Sequence, residues 1–474
     1  MASTELYGVD ARLVESIGST PVSTDTNIYF IGACAKGELN KAHLITSMSD
    51  YKSKLGGEPG DGYNLTEAAI AAFSIAGISK IWMIPVSHST TFNAAEYIGD
   101  AELFTGVYAI DKQLMDNPTA VNILCAPSID DSSVISALNT VSKKAANHWE
   151  SFMVYDLPES SDQVNDRMVA SVDDIVEDKQ LNEEHASAVW GHIKTSGGYI
   201  ISGASVRACL MARSDASYGV PARCGGNLAV NGAQGVCFAD KTQTDIETDA
   251  VVSVDKITPV KIEVSGSTVQ YNPKALYTCD EDVDIVDDGG YIAVLYNGAG
   301  TSGSFPDGMT ITEHSGGKLI SIPESYGTSL SADGVNSWIN HSGTLYTWGD
   351  HTSAFSNASV SDERARFENN IRMLIMITNR FQLKYRFSID NPMSLQMRND
   401  VTNEQLDYCN QLVAIGALVG EPVVEFAAVD NPSDELSQGH FTWSIQATPT
   451  IPFKYGLLKV AYSQAGLSVY TMAA

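Results

Sequence analysis

NIYFIG (27–32), NLTEAAIAAFSIAG (64–77) and KIWMIPV (80–86) decide the fold. The outer two are short runs of apolar, β-branched and aromatic residues, the pattern of strands buried on both faces. Between them the spacing predicts a helix over 65–76. Asn64 is its expected N-cap, Glu67 three residues on completes a capping box, and Gly77 is its stop. Strand, helix and strand in succession make an α/β unit.

The alternation continues to residue 240. VNILCAP (121–127) and SFMVYD (151–156) read as buried strands, and helices are expected over 132–149 and 162–176. A strand near 188–190 and a helix over 204–213 follow. Apolar runs separated by helices predict an α/β fold with a mainly parallel sheet covered by helices. From 241 to about 345 the composition turns to Thr, Ser, Val, Gly and Asp. Short alternating runs such as VKIEVSG (260–266) and YIAVLYN (291–297), with turns at Asn-Pro, Asp-Gly and Gly-Gly, predict a β-rich insert.

From Ser361 the α/β pattern returns. ERARFENNIRMLIMITNRF (363–381) reads as an apolar helix. VTNEQLDYCNQLVAIGALVG (401–420) reads as a second, opened by a Thr402–Gln405 capping box, with Leu406, Cys409, Leu412 and Val413 on its apolar face. Strands at 422–430 and 440–447 and the alternating run FKYGLLKVAYSQAGLSVYTM (453–472) complete an antiparallel sheet. TELYGVDARLVES (4–16) reads as an extended arm outside the first core.

Composition narrows the function. With 474 residues, 44% hydrophobic and 18% charged, the chain is globular, and several domains are expected. A net charge of −28 argues against nucleic acid as a general partner. Seven scattered cysteines, none in a C-x-x-C pair, read as free thiols. MASTELYG has no signal-peptide core and no apolar run approaches membrane-spanning length, so a cytosolic origin without membrane embedding is expected.

No catalytic constellation is legible. LGGEPGDG (55–62) does not open a helix directly after a strand, and GGKLI (316–320) lacks the P-loop spacing. CDEDVDIVDD (279–288) lacks the calcium-loop pattern. His185 and His192 lie seven apart with no zinc spacing around them, and G-x-S-x-G is absent. The expected catalytic, cofactor and metal residues are therefore none. A positive feature is a basic run in an acidic chain: Arg364, Arg366, Arg372, Arg380, Lys384 and Arg386 sit on and just after a helix. Such a patch suits docking onto an acidic protein surface; solvent-facing arginines beside an apolar helix face are the plainer reading.

Several passages, in order, resemble the contractile tail sheath proteins of bacteriophages and related injection systems. LYGVDARLVE (6–15) is similar to the family's opening "PGVYVEE" arm. Residues 27–86 match its first strand, "G-x-A-x-x-G", Leu-Gly-Gly, helix and strand. Arg213–Ser214–Asp215, Gly219–Val220 and Pro221–Ala222 follow its "R-x-D" and "G-V-x-x-A-P-A-N", with Cys224–Gly225 replacing the ending. LYTWGDHTSA (345–354) resembles "vwGaRT", Asp350 and His351 standing where Ala-Arg would be. GALVG (416–420), Asp430–Asn431–Pro432 and the terminal strands then follow in family order.

The resemblance implies a non-enzymatic, tail-sheath-like multidomain core: a linking arm (1–20), the first part of the α/β core (21–98), a middle α/β domain (99–240), a β-rich outer insert (241–345), a tube-facing C-terminal α/β core (346–460) and a linking strand (461–474). It implies a subunit that polymerises with itself around a tail tube protein, meets baseplate and tail terminator proteins, and contracts to drive the tube through a cell envelope. The expected location is a virion tail sheath assembled in bacterial host cytoplasm. Leu6, Tyr7, Val9, Leu13 and Val14, and Leu467, Val469, Tyr470 and Met472, become candidate inter-subunit strand residues, and the six basic residues become candidates for the tube face. The alternatives are another tail or baseplate component, or a cytosolic α/β hydrolase-like enzyme or ligand-binding protein.

Overall fold

A computed structural model describes residues 26–116, 120–143, 150–159, 163–165, 168–169, 171–221, 223, 225–238, 319–356 and 366–462, and between 242 and 314 the strands alone. The core is an eight-stranded sheet. Its order is His43–Ile45, Ile81–Ser87, Ile28–Ala33, Ile123–Cys125, Phe152–Asp156, Ala186–Val189, Val335–His341 and Thr344–Trp348. The six inner strands pair in parallel, and each edge is closed by a short antiparallel strand.

Ile28–Ala33, Ile123–Cys125 and Phe152–Asp156 are buried at every position, which is why they carry apolar sequence, broken only by the hydrogen-bonded Asp156. Helix Asn64–Ile70, extended by a π turn at Ala71–Ala76 and stopped by left-handed Gly77, packs with helix Gly203–Tyr218 against this sheet. The α/β reading of 27–240 is thus realised.

Differences from expectation have identifiable causes. Neither capping box forms. Asn64 lies inside its helix and is buried, its amide oxygen accepting from Ala33 N and its nitrogen donating to Tyr97 Oη and the Pro127 carbonyl. The second helix begins earlier, at Leu395, capped by Ser394. Gln405 is drawn inward to Tyr385 Oη, and Thr402 back-bonds to the Arg398 carbonyl. In both cases tertiary partners outcompete the local cap. The helix expected at 162–176 is confined to Val172–Glu177, after a small strand pair.

The expected insert is too long at its C-terminal end. Helix Glu324–Ala332 and strands Val335–His341 and Thr344–Trp348 belong to the main sheet unit, although their Ser, Gly and Asn content reads like the insert. The chain leaves after Ala233–Cys237 and returns beside it, Ile320 N donating to the Val236 carbonyl. Between lie four antiparallel strand pairs within 242–314.

Residues 366–462 form a C-terminal unit. Helices Glu368–Tyr385 and Leu395–Ala414 and the antiparallel pair Leu418–Glu425 with Ser444–Pro449 enclose a small core of Met373, Ile377, Cys409, Leu412 and Leu418. Among the described residues no helix is long and apolar enough to cross a membrane.

Candidate assembly site

The junction between this unit and the sheet is built from charge. Helix Gly203–Tyr218 is buried along most of its length and contributes Arg207 and Asp215. Helix Glu368–Tyr385 contributes Glu368 and Arg372, one turn apart and therefore on one face. Arg207 Nη2 lies 2.7 Å from Glu368 Oε2, and Arg372 pairs with Asp215. All four are buried. Arg207 also donates to the Gly349 carbonyl at 2.9 Å, while Glu368 accepts from Gly225 N and Asn336 Nδ2. Buried charges persist only when paired and hydrogen-bonded, so these bonds fix how the long helix enters the fold.

Two of the sequence resemblances meet here. Asp215 closes the Arg213–Ser214–Asp215 motif, and Gly349 belongs to the Trp348–Gly349 turn. Gly349 sits at φ +95°, and a Cβ there would lie 2.3 Å from Asn336 Oδ1, so glycine is required twice over. Where the resemblance expects Ala-Arg, Asp350 pairs with Lys454, and the His351 ring stacks on Phe355 with centroids 3.8 Å apart.

The six basic candidates do not form one surface. Arg372 is consumed by Asp215, a correction to its expected place on the tube face: an arginine beside a buried carboxylate cannot stay at the surface. Arg366 is exposed beside the Phe355 and Phe367 rings. Arg380 lies over the Tyr408 ring at 3.7 Å and bonds Gln405. Lys384 pairs with Glu404. Arg386 is exposed at the turn between the helices, next to exposed Phe387 and Ile389. Arg364 lies outside the described residues. So do Leu6, Tyr7, Val9, Leu13, Val14, Leu467, Val469, Tyr470 and Met472.

Among the described residues, 450–462 form an arm that belongs to no strand. Phe453, Tyr455, Leu458, Val460 and Tyr462 are each at least 79% exposed. Among the described residues the pair Leu418–Glu425 and Ser444–Pro449 forms a two-stranded sheet, with Val419 and Val423 exposed. Such a sheet is marginal by itself and carries unpaired edges.

A second polar cluster escaped sequence reasoning. Ser128 Oγ lies 3.0 Å from His192 Nε2, and His192 Nδ1 lies 2.8 Å from Glu159 Oε1, the outline of a hydrolytic triad. The charge state does not suit one. Burial opposes the imidazolium, but the carboxylates of Glu159, Asp156 and Glu67 outweigh it and push the His192 pKa up to about 10. A protonated imidazole cannot take the serine proton, and Ser128 Oγ donates to Glu67 at 2.5 Å. At the start of helix Gly203–Tyr218, Asp156 accepts from Ser202 Oγ and Ala204 N, and Glu67 accepts from Ser202 N. The cluster ties three strand ends to that helix, and no motif spacing announces it. Among the described residues no group of His, Cys, Asp and Glu is arranged to hold a metal ion.

No protein-family model matches the chain, and no curated protein sequence does. Solved structures do match. A chain in the cryo-EM structure of the anti-feeding prophage baseplate, 6-fold symmetrised, is 14% identical with a TM-score of 0.57, over 98% of this chain and 100% of that one. A chain in the contracted-state sheath complex of the extracellular contractile injection system PVC is 13% identical with a TM-score of 0.58, over 98% and 100%. A chain of the anti-feeding prophage baseplate in its contracted state gives 13% and 0.57, over 97% and 100%. The chain has the α/β architecture found in these contractile-system assemblies.

Proposed function

We propose that this chain is the structural subunit of a contractile tail sheath. It polymerises with copies of itself around an inner tube, and contraction of the polymer drives the tube through a target envelope. The single observation that carries this reading is the exposed apolar arm from Ile451 to Tyr462 beside a two-stranded sheet with unpaired edges. An exposed apolar segment and a two-stranded sheet with open edges are complementary halves of a strand-addition joint. The full-length match in fold supports the same reading.

In this account residues 1–20, with Leu6, Tyr7, Val9, Leu13 and Val14, supply a second link, and Leu467, Val469, Tyr470 and Met472 continue the first. The exposed Arg366 and Arg386, with Arg364, remain candidates for the tube protein, and baseplate and terminator proteins cap the polymer. The 239–318 insert lies on the outside of the cylinder, and the assembly belongs to a virion tail or a related injection device. A baseplate component is the second reading, favoured by the baseplate chains of the same fold. Deleting residues 451–474 tests the linking role: a folded monomer that no longer polymerises is expected, and an intact polymer contradicts it.

A further inference from the structure

The arm leaves the body at a fixed place. Thr450 N donates to the Ala417 carbonyl at 3.1 Å, Thr450 Oγ1 donates to the Gly416 carbonyl at 2.6 Å, and Asn369 Nδ2 donates to the Thr450 carbonyl at 2.8 Å. These bonds end the sheet. Four residues on, Lys454 Nζ turns back to Asp350 Oδ1. Residues 455–462 are exposed and belong to no strand.

Asp350 is a rigid partner for such a contact. Its own carbonyl accepts Glu368 N at 3.1 Å, and the preceding Gly349 carbonyl accepts Arg207. Its side chain is 9% exposed against 42% for Lys454. One end of the pair is therefore fixed in the frame that holds the long helix, and the other end belongs to the arm. A half-exposed ion pair adds little to fold stability. What it restricts is direction: residues 451–454 can span about 13 Å when extended, and without the pair the arm would sweep that reach from Thr450.

We propose that Lys454 is a positioning residue that, by pairing with Asp350 of its own chain, sets the direction in which the C-terminal arm is offered to a second copy. The positioning is a property of the single chain. Its consequence for polymerisation rests on the sheath reading.

The test uses the full chain below its assembly concentration, spin-labelled at two exposed positions through Ala461→Cys and Glu425→Cys. The distance distribution between the labels is expected to widen at least twofold in Lys454→Glu, which sets two carboxylates against each other, and to keep its parental width in Lys454→Arg. The unfolding midpoint should not move in either variant. An unchanged width in Lys454→Glu, or equal widening in Lys454→Arg, overturns the proposal.

The same variants are then sedimented above the assembly concentration. Lys454→Glu is expected to raise the critical concentration at least tenfold and Lys454→Arg to leave it alone. If Lys454→Glu widens the distribution yet assembles normally, the assembly consequence is overturned. If the parent chain forms no polymer, the sheath reading fails, while the label distances still decide the positioning role.

Discussion

Arg372, one turn into the long C-terminal helix, donates to Asp215 near the end of helix Gly203–Tyr218, and both side chains are buried. Thr26 Oγ1 donates to the same carboxylate at 2.6 Å. Arg372→Ala would leave Asp215 as a buried charge without its cation, at a cost of about 3–5 kcal/mol. Arg386→Ala, at an exposed turn, should stay within about 0.5 kcal/mol. Urea unfolding midpoints measure both. The paired replacement Arg372→Met with Asp215→Leu should cost less than either single change, because it removes both charges together.

Gly349→Ala should destabilise by about 1–3 kcal/mol, since the added methyl group meets Asn336 Oδ1 and the backbone lies in the left-handed region. The damage should spread to the junction, because the Gly349 carbonyl holds Arg207. Hydrogen exchange at the start of helix Glu368–Tyr385 reads that spread: faster exchange there is expected, and protection equal to the parent contradicts the coupling.

The Ser128–His192–Glu159 cluster gives the fold a pH signature. The folded chain holds the His192 proton up to a pKa of about 10, against 6.5 for an ordinary imidazole. Burial likewise raises Glu67 to about 7 from 4.5, opposed by His192 and Ser128. Both groups bind their protons more strongly when folded, so stability falls as pH rises. The Glu67 contribution is lost between about pH 4.5 and 7, and the His192 contribution is complete below about pH 6.5 and lost as pH climbs to 10. Urea midpoints at pH 7, 8.5 and 10 should decline in the parent, and His192→Asn should flatten the slope; parallel slopes would show that His192 does not carry it.

Much of the fold is legible in the sequence for a physical reason. Strands buried on both faces, such as Ile28–Ala33, are written largely in apolar residues, and the left-handed stop at Gly77 admits few others. The caps misled because Asn64 and Gln405 have better partners far along the chain, which no local spacing reveals. The basic run misled more: Arg372 and Arg386 look alike in sequence, and only the fold brings Asp215 to one of them. The junction was half legible, since Asp215 and Gly349 lie in recognisable motifs while Arg207 and Glu368 lie in none. The strand Val335–His341 escaped because its Asn336 and Ser337 are buried polar residues, and the bonds that hold Asn336, from Nδ2 to Ser187 Oγ and the His351 carbonyl, cannot be seen in composition.

The insert should be separable from the sheet. Because Val236 and Ile320 are already neighbours, replacing residues 240–317 with a tight glycine turn should leave the unfolding midpoint and helical circular dichroism of the remainder close to the parent. Loss of cooperative unfolding would show that the insert supports the core.

The central claim is polymerisation into a sheath, and negative-stain electron microscopy of the purified chain at rising concentration and ionic strength tests it most directly. The account predicts striated tubes or extended helical polymers, absent from the chain truncated after Thr450. A monodisperse small oligomer under every assembly condition would contradict it.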